Sequence, residues 1–250
     1  MNNTQNKIFK NYDKRMDADL LSNIDFERKE KFLRNVFEYN FKQECPPPSG
    51  QQNILEIGCN KGFLTNALKE YYPQADICGV DLSPNDVAYA KQHFSGIDFS
   101  CENAFDVLKK KKFDLVVAKD VMEHISKDEQ EKFVELLYEA LKDNGICIIQ
   151  VPNMDWVFSN HERYMDFTHE IGYTRESFKD IFRLYFGKYV DVKPSSYIWT
   201  DDMTITKKIL FKYIRPVVLW GIKVILKFIG EGADDTWFYH REIMAVCKKC

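Results

Sequence analysis

Apolar positions recur along this chain with two different periods. Ile54, Leu55 and Ile57 form a short run interrupted by one acid, Glu56, and closed by Gly58. A run bounded in this way predicts a buried strand. Phe63, Leu64, Ala67 and Leu68 then recur at helical spacing. Further apolar runs predict strands at 76–82, 97–103, 113–120 and 145–152, with helical patterns between them. The clearest helix is 127–145, where Phe133, Leu136, Leu137 and Leu141 share a face and Gly145 supplies the stop. Alternation of this kind predicts an α/β fold with a doubly wound, mostly parallel sheet. Runs at 189–199 and 237–249 add two late strands, seven in all, with helices on both faces. Residues 1–44 are highly charged, with aromatics at intervals such as Phe9, Tyr12, Phe26 and Phe37, and read as N-terminal helices. The breaker "CPPPSGQQ" at 45–52 leads into the core. The expected layout is one domain over 1–250: a helical cap (1–48), a ligand-binding core (49–153), a substrate-side segment (154–188), and the late strands (189–250) with a helical insertion at 202–236.

The turn after the first strand, Gly58-Cys59-Asn60-Lys61-Gly62, carries the first chemical signal. Glycine lets a ligand approach the backbone, and Asn tolerates the left-handed region best among other residues. A strand, a tight turn and a helix N-terminus predict a ligand cradle with free backbone N–H groups. The order G-x-N-x-G fails the G-x-G-x-x-G dinucleotide fingerprint, and no Gly-Lys-Ser/Thr follows as in a phosphate-binding loop. An ordinary strand-to-helix turn is the bland alternative. Ligands of doubly wound sheets bind beyond the carboxyl ends of the strands. There the second strand delivers Asp81, about 20 residues past the turn, where a ribose-binding acid is expected. "DLSPND" also allows Asp81 a helix-capping role. The third strand delivers Glu102, Asn103, Ala104 and Phe105, and the fourth delivers Lys119, Asp120, Glu123 and His124.

Composition narrows the class. The 250 residues suit one domain with a substantial core, and a net charge of −3 gives no general attraction to nucleic acid. The polar N-terminus "MNNTQNKIFKNYDKRMD" has no apolar secretory core. Seven scattered cysteines, three of them within predicted strands, suit a reducing cytoplasm better than a disulfide framework. The terminal "CKKC" has no second pair and is read as a tail.

Taken together, these segments resemble the class I S-adenosylmethionine-dependent methyltransferases, a Rossmann-like fold. "ILEIGCNKGF" resembles that family's first motif and "GVDLSP" its acidic second motif; "ENAF" resembles the adenine segment, "FDLVVAKDVMEHI" the fourth-strand segment and "LKDNGICIIQVPN" the fifth. The resemblance implies S-adenosylmethionine as cofactor. It places Gly58, Cys59, Asn60 and Gly62 along the methionine and ribose side, with the strand acid Glu56, and puts Asp81 on the ribose hydroxyls. Leu82, Asn103 and Ala104 would sit at the adenine, and Lys119 and Asp120 would close the methionine side. Two residues depart from the family pattern: Asn60 replaces the usual middle glycine and Asn103 the usual adenine-contacting acid.

"NHERYMDFTHEIGYT" (160–174) resembles a stretch of methyltransferases encoded with bacterial surface-polysaccharide enzymes. That implies O-methylation of a sugar, a sugar nucleotide or its phosphoryl decoration, as part of capsule or polysaccharide biosynthesis. His124, His169, Tyr164 and Asp166 are the catalytic candidates, with one of the histidines as general base. A capping role for Asp166 and packing roles for Tyr164 and Phe167 are the structural alternatives. A metal held by Asp120, His124, Asp166 and His169 is conceivable, but the spacing does not demand one, and no metal is expected. A methyltransferase of another small molecule, of nucleic acid or of protein, and a non-catalytic regulatory subunit, are the competing classes. The N-P-P-aromatic signature of DNA amino-methylating enzymes is absent after the fourth strand. Finally, 206–232 is intensely apolar, with Lys208, Lys212, Arg215, Lys223 and Lys227 in one stripe about 120° wide. Its charge-free runs are too short to span a bilayer. The expectation is helices that bury the apolar face against the fold or in a homodimer, with peripheral contact at the inner face of a membrane as the alternative.

Overall fold

In the computed structural model, residues 23–195, 203–229 and 240–250 are described. The N-terminal segment before residue 23, the end of the strand expected at 189–199, the start of that at 237–249 and the ends of the 202–236 insertion lie outside them.

The strands are β1 (Asn53–Ile57), β2 (Asp76–Asp81), β3 (Asp98–Cys101), β4 (Phe113–Lys119), β5 (Leu141–Pro152), β6 (Val190–Pro194) and β7 (Glu242–Lys248). They form one sheet in the order β3-β2-β1-β4-β5-β7-β6. β1 pairs in parallel with β2 and β4, β3 with β2, and β5 with β4. β7 runs antiparallel between β5 and β6. The helices are α1 (Asn23–Val36), α2 (Phe63–Tyr71), α3 (Pro84–His93), α4 (Ala104–Lys110), α5 (Lys127–Ala140), α6 (Ser159–Tyr164), α7 (Arg175–Phe186) and α8 (Ile205–Phe228).

Strand residues alternate between two cores, as the period of two requires. Leu55, Ile57, Val116 and Ala118 face Val107 and Leu108 of α4, Phe133 and Leu137 of α5, and Phe178 and Phe182 of α7. Ile54, Leu115, Val117 and Ile148 face Leu64 and Leu68 of α2 and Phe37 and Phe41 of the π-helical turn after α1. The central strands β1, β4 and the second half of β5 are thus buried on both faces, which is why their sequences are almost continuously apolar, whereas the edge strands β3 and β6 keep exposed polar positions.

Two boundaries differ from expectation. The helix predicted over 127–145 stops at Ala140, and Leu141 already belongs to β5. Leu141 pairs with Phe113, after which the register slips and Leu115 pairs with Ile146. Asn144, at φ +63°, absorbs that irregularity. β3 ends at Cys101 rather than at residue 103, because Asn103 caps α4 instead: its side-chain oxygen accepts from Phe105 N at 2.9 Å. Within the described part of the insertion, Ile205–Phe228 form one continuous helix, α8, despite Pro216. None of its residues is fully buried, so the fold of one chain does not cover its apolar face, and burial in a homodimer is not tested by one chain.

Candidate active site

A cavity of about 760 Å³ opens beyond the carboxyl ends of the parallel strands. That size falls within the range of small-molecule sites, roughly 300–1,000 Å³. Its floor is the turn after β1. Gly58 and Gly62 have φ of +73° and +83°, and Asn60 takes +47°, the left-handed conformation that its side chain tolerates. A Cβ on Gly58 would lie 2.4 Å from Val121 Cγ2, so the backbone there is closely approached.

The expected free N–H groups are not there. Gly58 N and Cys59 N donate to Val80 O at 2.8 and 3.0 Å, and Gly62 N donates to Cys59 O at 2.8 Å. Asn60 N donates to Asp81 Oδ2 at 2.8 Å, and Lys61 N to Asn60 Oδ1 at 2.8 Å. With its donors used internally, the turn offers no anion nest. It is instead flanked by carboxylates. Glu56 is buried beneath it and accepts from Thr65 Oγ1. Burial pushes the Glu56 carboxyl up to about 8, against the lowering hydrogen bond from Thr65; Asp81 raises it further. An acid held this way gains from a cation placed beside it. The electrostatics therefore suit a positively charged small molecule, not a phosphate.

Asp81 also accepts from Ser83 N at 2.9 Å. Ser83, not Asp81, caps α3, accepting from Asp86 N at 3.2 Å. Glu56, Gly58, Cys59, Asn60, Asp81, Leu82, Asn103, Ala104, Lys119 and Asp120 all line the cavity. Gly62 does not: a Cβ there would meet Phe99, Ala90 and Phe94, so this glycine serves close packing of α2 against α3 and β3. Lys119 contacts Asp120 and lies 3.5 Å from Glu242. Burial alone would lower its pKa, but the two carboxylates outweigh burial and hold the ammonium above its ordinary value.

The opposite wall comes from the short 3₁₀ turn Met122–His124 and from residues 162–169. Thr168 Oγ1 donates to Asp166 Oδ1 at 2.7 Å and lies 2.9 Å from His124 Nδ1. A hydroxyl has one proton, and here it goes to the carboxylate. His124 Nδ1 must then donate to Thr168, leaving Nε2 as the unprotonated nitrogen. Burial, reinforced by the neighbouring His169, lowers the His124 pKa to about 4, so the ring is neutral at pH 7. That corrects the expected near-neutral titration. Burial works to raise Asp166, but hydrogen bonds from the Thr168 side chain and backbone hold it below its ordinary value. Asp166 orders Thr168 and does not cap the following helix, a task Thr174 performs.

His169 sits beside His124 with ring centroids 4.7 Å apart, and its Nδ1 lies 2.8 Å from Glu162 O. The carbonyl can only accept, so His169 too keeps Nε2 as its unprotonated nitrogen when neutral. Tyr164 departs from expectation: it is 75% exposed, lies against Arg163 and does not line the cavity. Phe167 is 73% exposed, so the packing alternative fails for both aromatics.

Glu123, which the sequence places at the ligand-binding edge, was given no role there. It is buried in the cavity wall, and neither of its oxygens has a hydrogen-bond partner. Burial first, and then the Asp120 charge, push its pKa well above the carboxylate range. Ligand-type atoms of Glu123, His124 and His169 lie within 4.8 Å of one another. This trio differs from the four residues weighed in the sequence, sharing only the two histidines. The signal for Glu123 was its place beside His124. Arg241 and Glu242, at the start of β7, also line the cavity. They lie far from the other motifs in sequence and reach the site because β7 inserts beside β5.

Comparison with known proteins bears on the domain and the fold. Residues 55–147 match the family model described as a methyltransferase domain. A Rickettsia prowazekii protein, described only as uncharacterized protein RP028, is 33% identical over 205 residues, 78% of this chain and 79% of that protein. A ubiquinone biosynthesis O-methyltransferase from Bradyrhizobium diazoefficiens is 32% identical over 130 residues, 50% of this chain and 47% of the relative. The match thus spans about half the length of that curated relative. A crystal structure of a SAM-dependent methyltransferase from Archaeoglobus fulgidus superposes with a TM-score of 0.62 at 21% identity, covering 89% of this chain and 94% of that one.

Proposed function

We propose that this chain, an S-adenosylmethionine-dependent methyltransferase by its methyltransferase domain and its relatives, methylates a hydroxyl of a small molecule. The observation that carries the reading is the His124–Thr168–Asp166 relay across the cavity from the acid-flanked turn.

The residues fit the cofactor. The closely approached Gly58 backbone, the buried acid Glu56 and the satisfied N–H groups of the turn suit a cationic ligand that brings its own hydroxyls. Asp81 would hold the ribose hydroxyls, and Ala104 and Leu82 would lie along the adenine. Asn103 has its side-chain oxygen committed to Phe105 N, which leaves its amide NH₂ as the group to face the base. Bound S-adenosylmethionine supplies an activated methyl on sulfur. The chain itself positions the acceptor and handles one proton. Methyl transfer would break the S–CH3 bond, form the C–O bond and release S-adenosylhomocysteine, and the acceptor's hydroxyl proton would go to His124 Nε2. Thr168 and Asp166 fix the ring, and Asp166 stabilises the imidazolium through Thr168. A buried histidine with a pKa of about 4 is a weak base, but it is always in the accepting form at neutral pH.

The acceptor class is open between two sources. The glycan-type acceptor rests on the 160–174 stretch alone. The Bradyrhizobium relative's name instead points to an acceptor of quinone biosynthesis. The direct test is methyl transfer from labelled cofactor to a panel containing nucleotide-sugars, phosphorylated glycan precursors and hydroxylated quinone precursors. Transfer to a member of the panel, lost in His124→Gln, is the expected result. Tight cofactor binding with no transfer to any small hydroxylated acceptor would favour the non-catalytic class.

A further inference from the structure

We propose that α8 is a membrane-docking helix that lies on an anionic lipid surface with its axis in the plane of the bilayer. The reasoning begins with what the helix lacks. It carries 24 residues, about 36 Å of helix at 1.5 Å per residue, yet none is fully buried. Half-buried residues recur along Phe211, Arg215, Leu219, Ile222 and Leu226, close to one line at helical spacing, and also at Gly221, Lys223 and Val224 in the second half. The broad face beyond that line is apolar and open to solvent: Tyr213 is 59%, Val217 63% and Trp220 68% exposed, and Phe228 at the end is 87% exposed. A contiguous patch of this size on a monomer marks an interaction surface.

Charge selects the occupant. Five of the six basic residues of α8, Lys208, Lys212, Arg215, Lys223 and Lys227, fall in a stripe about 120° wide that starts on the half-buried line, where Arg215 lies, and runs to the edge of the apolar face at Lys223 and Lys227; Lys207 lies outside it. No Asp or Glu occurs between residues 205 and 229. A second copy of the chain would present the same basic flank, so another α8 offers no charge complement. A nucleic acid would answer the lysines and leave the apolar face wet. An anionic bilayer answers both, with headgroups at the basic flank and acyl chains under the apolar face. Trp220 and Tyr213 are the side chains favoured at that boundary. No described helix is long and apolar enough to cross a membrane, so the helix rests on the surface rather than spanning it.

Topology places the helix usefully. β6 and β5 both run antiparallel to β7, so Pro194 and Pro152 end at the same edge of the sheet, where Glu242 begins β7. α8 lies between β6 and β7 in the chain, and Glu242, which begins β7, lines the cavity at this edge. Docking there would turn the cavity toward the bilayer and favour an amphiphilic acceptor. That consequence rests on the methyl-transfer reading, whereas docking itself does not.

The test is flotation of the full-length protein with vesicles of phosphatidylglycerol and phosphatidylcholine, and with phosphatidylcholine alone, read without any turnover. The protein should float with the anionic vesicles and stay behind with the neutral ones, and raised salt should release it. Two double variants at exposed positions separate the contributions: Lys208→Glu with Lys212→Glu, and Trp220→Ser with Phe228→Ser. Each should lower the vesicle-bound fraction by roughly tenfold or more, while S-adenosylhomocysteine binding is retained, which also certifies folding. Absence of flotation with anionic vesicles would overturn the proposal, whether or not the protein sediments as a dimer. Equal flotation with neutral vesicles, or double variants that bind like wild type, would overturn it too. Failure to bind cofactor would count against the methyltransferase reading and leave this one standing.

Discussion

The two walls of the cavity are built on different plans. The cofactor wall is local: one turn between β1 and α2 satisfies its N–H groups within a few residues or from the adjacent β2. It holds an acid, Glu56, whose pKa burial raises to about 8. The acceptor wall is assembled from afar: His124, Thr168, Asp166 and His169 meet across a gap of some forty residues, and Glu242 arrives from the far end of the chain. It holds a base, His124, whose pKa burial lowers to about 4. Burial drives both groups to their neutral forms, so each wall is poised to gain a charge only when ligand or reaction supplies one. In the proposed reading Glu56 would meet a cation on binding, and His124 would take a proton on turnover.

The largest expected effect falls on the acceptor wall. His124→Gln should lower turnover by roughly 10²–10⁴-fold with cofactor affinity nearly unchanged, as measured by steady-state kinetics alongside calorimetry. Thr168→Val, which removes the hydroxyl that links His124 to Asp166, should fall in the same direction with a smaller loss. A His124→Gln enzyme with turnover within tenfold of wild type would separate the relay from the chemistry.

The second effect uses the opposite pKa shifts, read as stability against pH in the cofactor-free protein. Glu56 binds its proton more tightly folded than unfolded. Its contribution is therefore full below about 4.5 and declines as pH rises toward about 8. Glu56→Gln, which can still accept from Thr65, should remove that decline, a gain on the order of a few kcal/mol at pH 8 relative to pH 5. His124 behaves in reverse. Unfolded it titrates near 6.5 and folded near 4, so its contribution is present above 6.5 and lost as pH falls toward 4. His124→Gln should flatten that acid-side loss. Urea titrations at several pH values check both, and a Glu56→Gln curve parallel to wild type would refute the burial argument.

Legibility in the sequence follows the same division. The central strands of the sheet were readable because they are buried on both faces and nearly all apolar, and the turn was readable because its conformational needs are met by neighbouring residues. Asn60 illustrates this, since its left-handed φ of +47° follows from residue type alone. The fate of the turn's N–H groups was not readable, because it depends on β2 lying alongside β1. Glu123 was passed over because its distinction is an absence of partners, which only packing reveals. Tyr164 was overvalued because a helical turn of six residues decides its direction, and that direction is outward. The end of β3 was misplaced because Asn103 can finish a strand or start a helix, and it starts α4. The apolar face of the insertion was expected to be buried, because a sequence pattern shows that a face is apolar without showing what lies opposite it.

The smallest expected effect is at Tyr164. Tyr164→Phe should change turnover by less than about twofold, within the ±0.5 kcal/mol usual for exposed substitutions. A larger loss would mean that residues 157–167 fold over the acceptor during the reaction, and the acceptor wall would then have to be redrawn.

The contrast between the walls meets its most direct test in calorimetry with S-adenosylhomocysteine on the wild type, Asp81→Ala and His124→Gln. The wild type should bind with a Kd on the order of micromolar. Asp81→Ala should lose about 1–3 kcal/mol, the cost of leaving ligand hydroxyls unpaired, and His124→Gln should bind like wild type. Equal affinity in wild type and Asp81→Ala, or no binding by the wild type, would contradict the account.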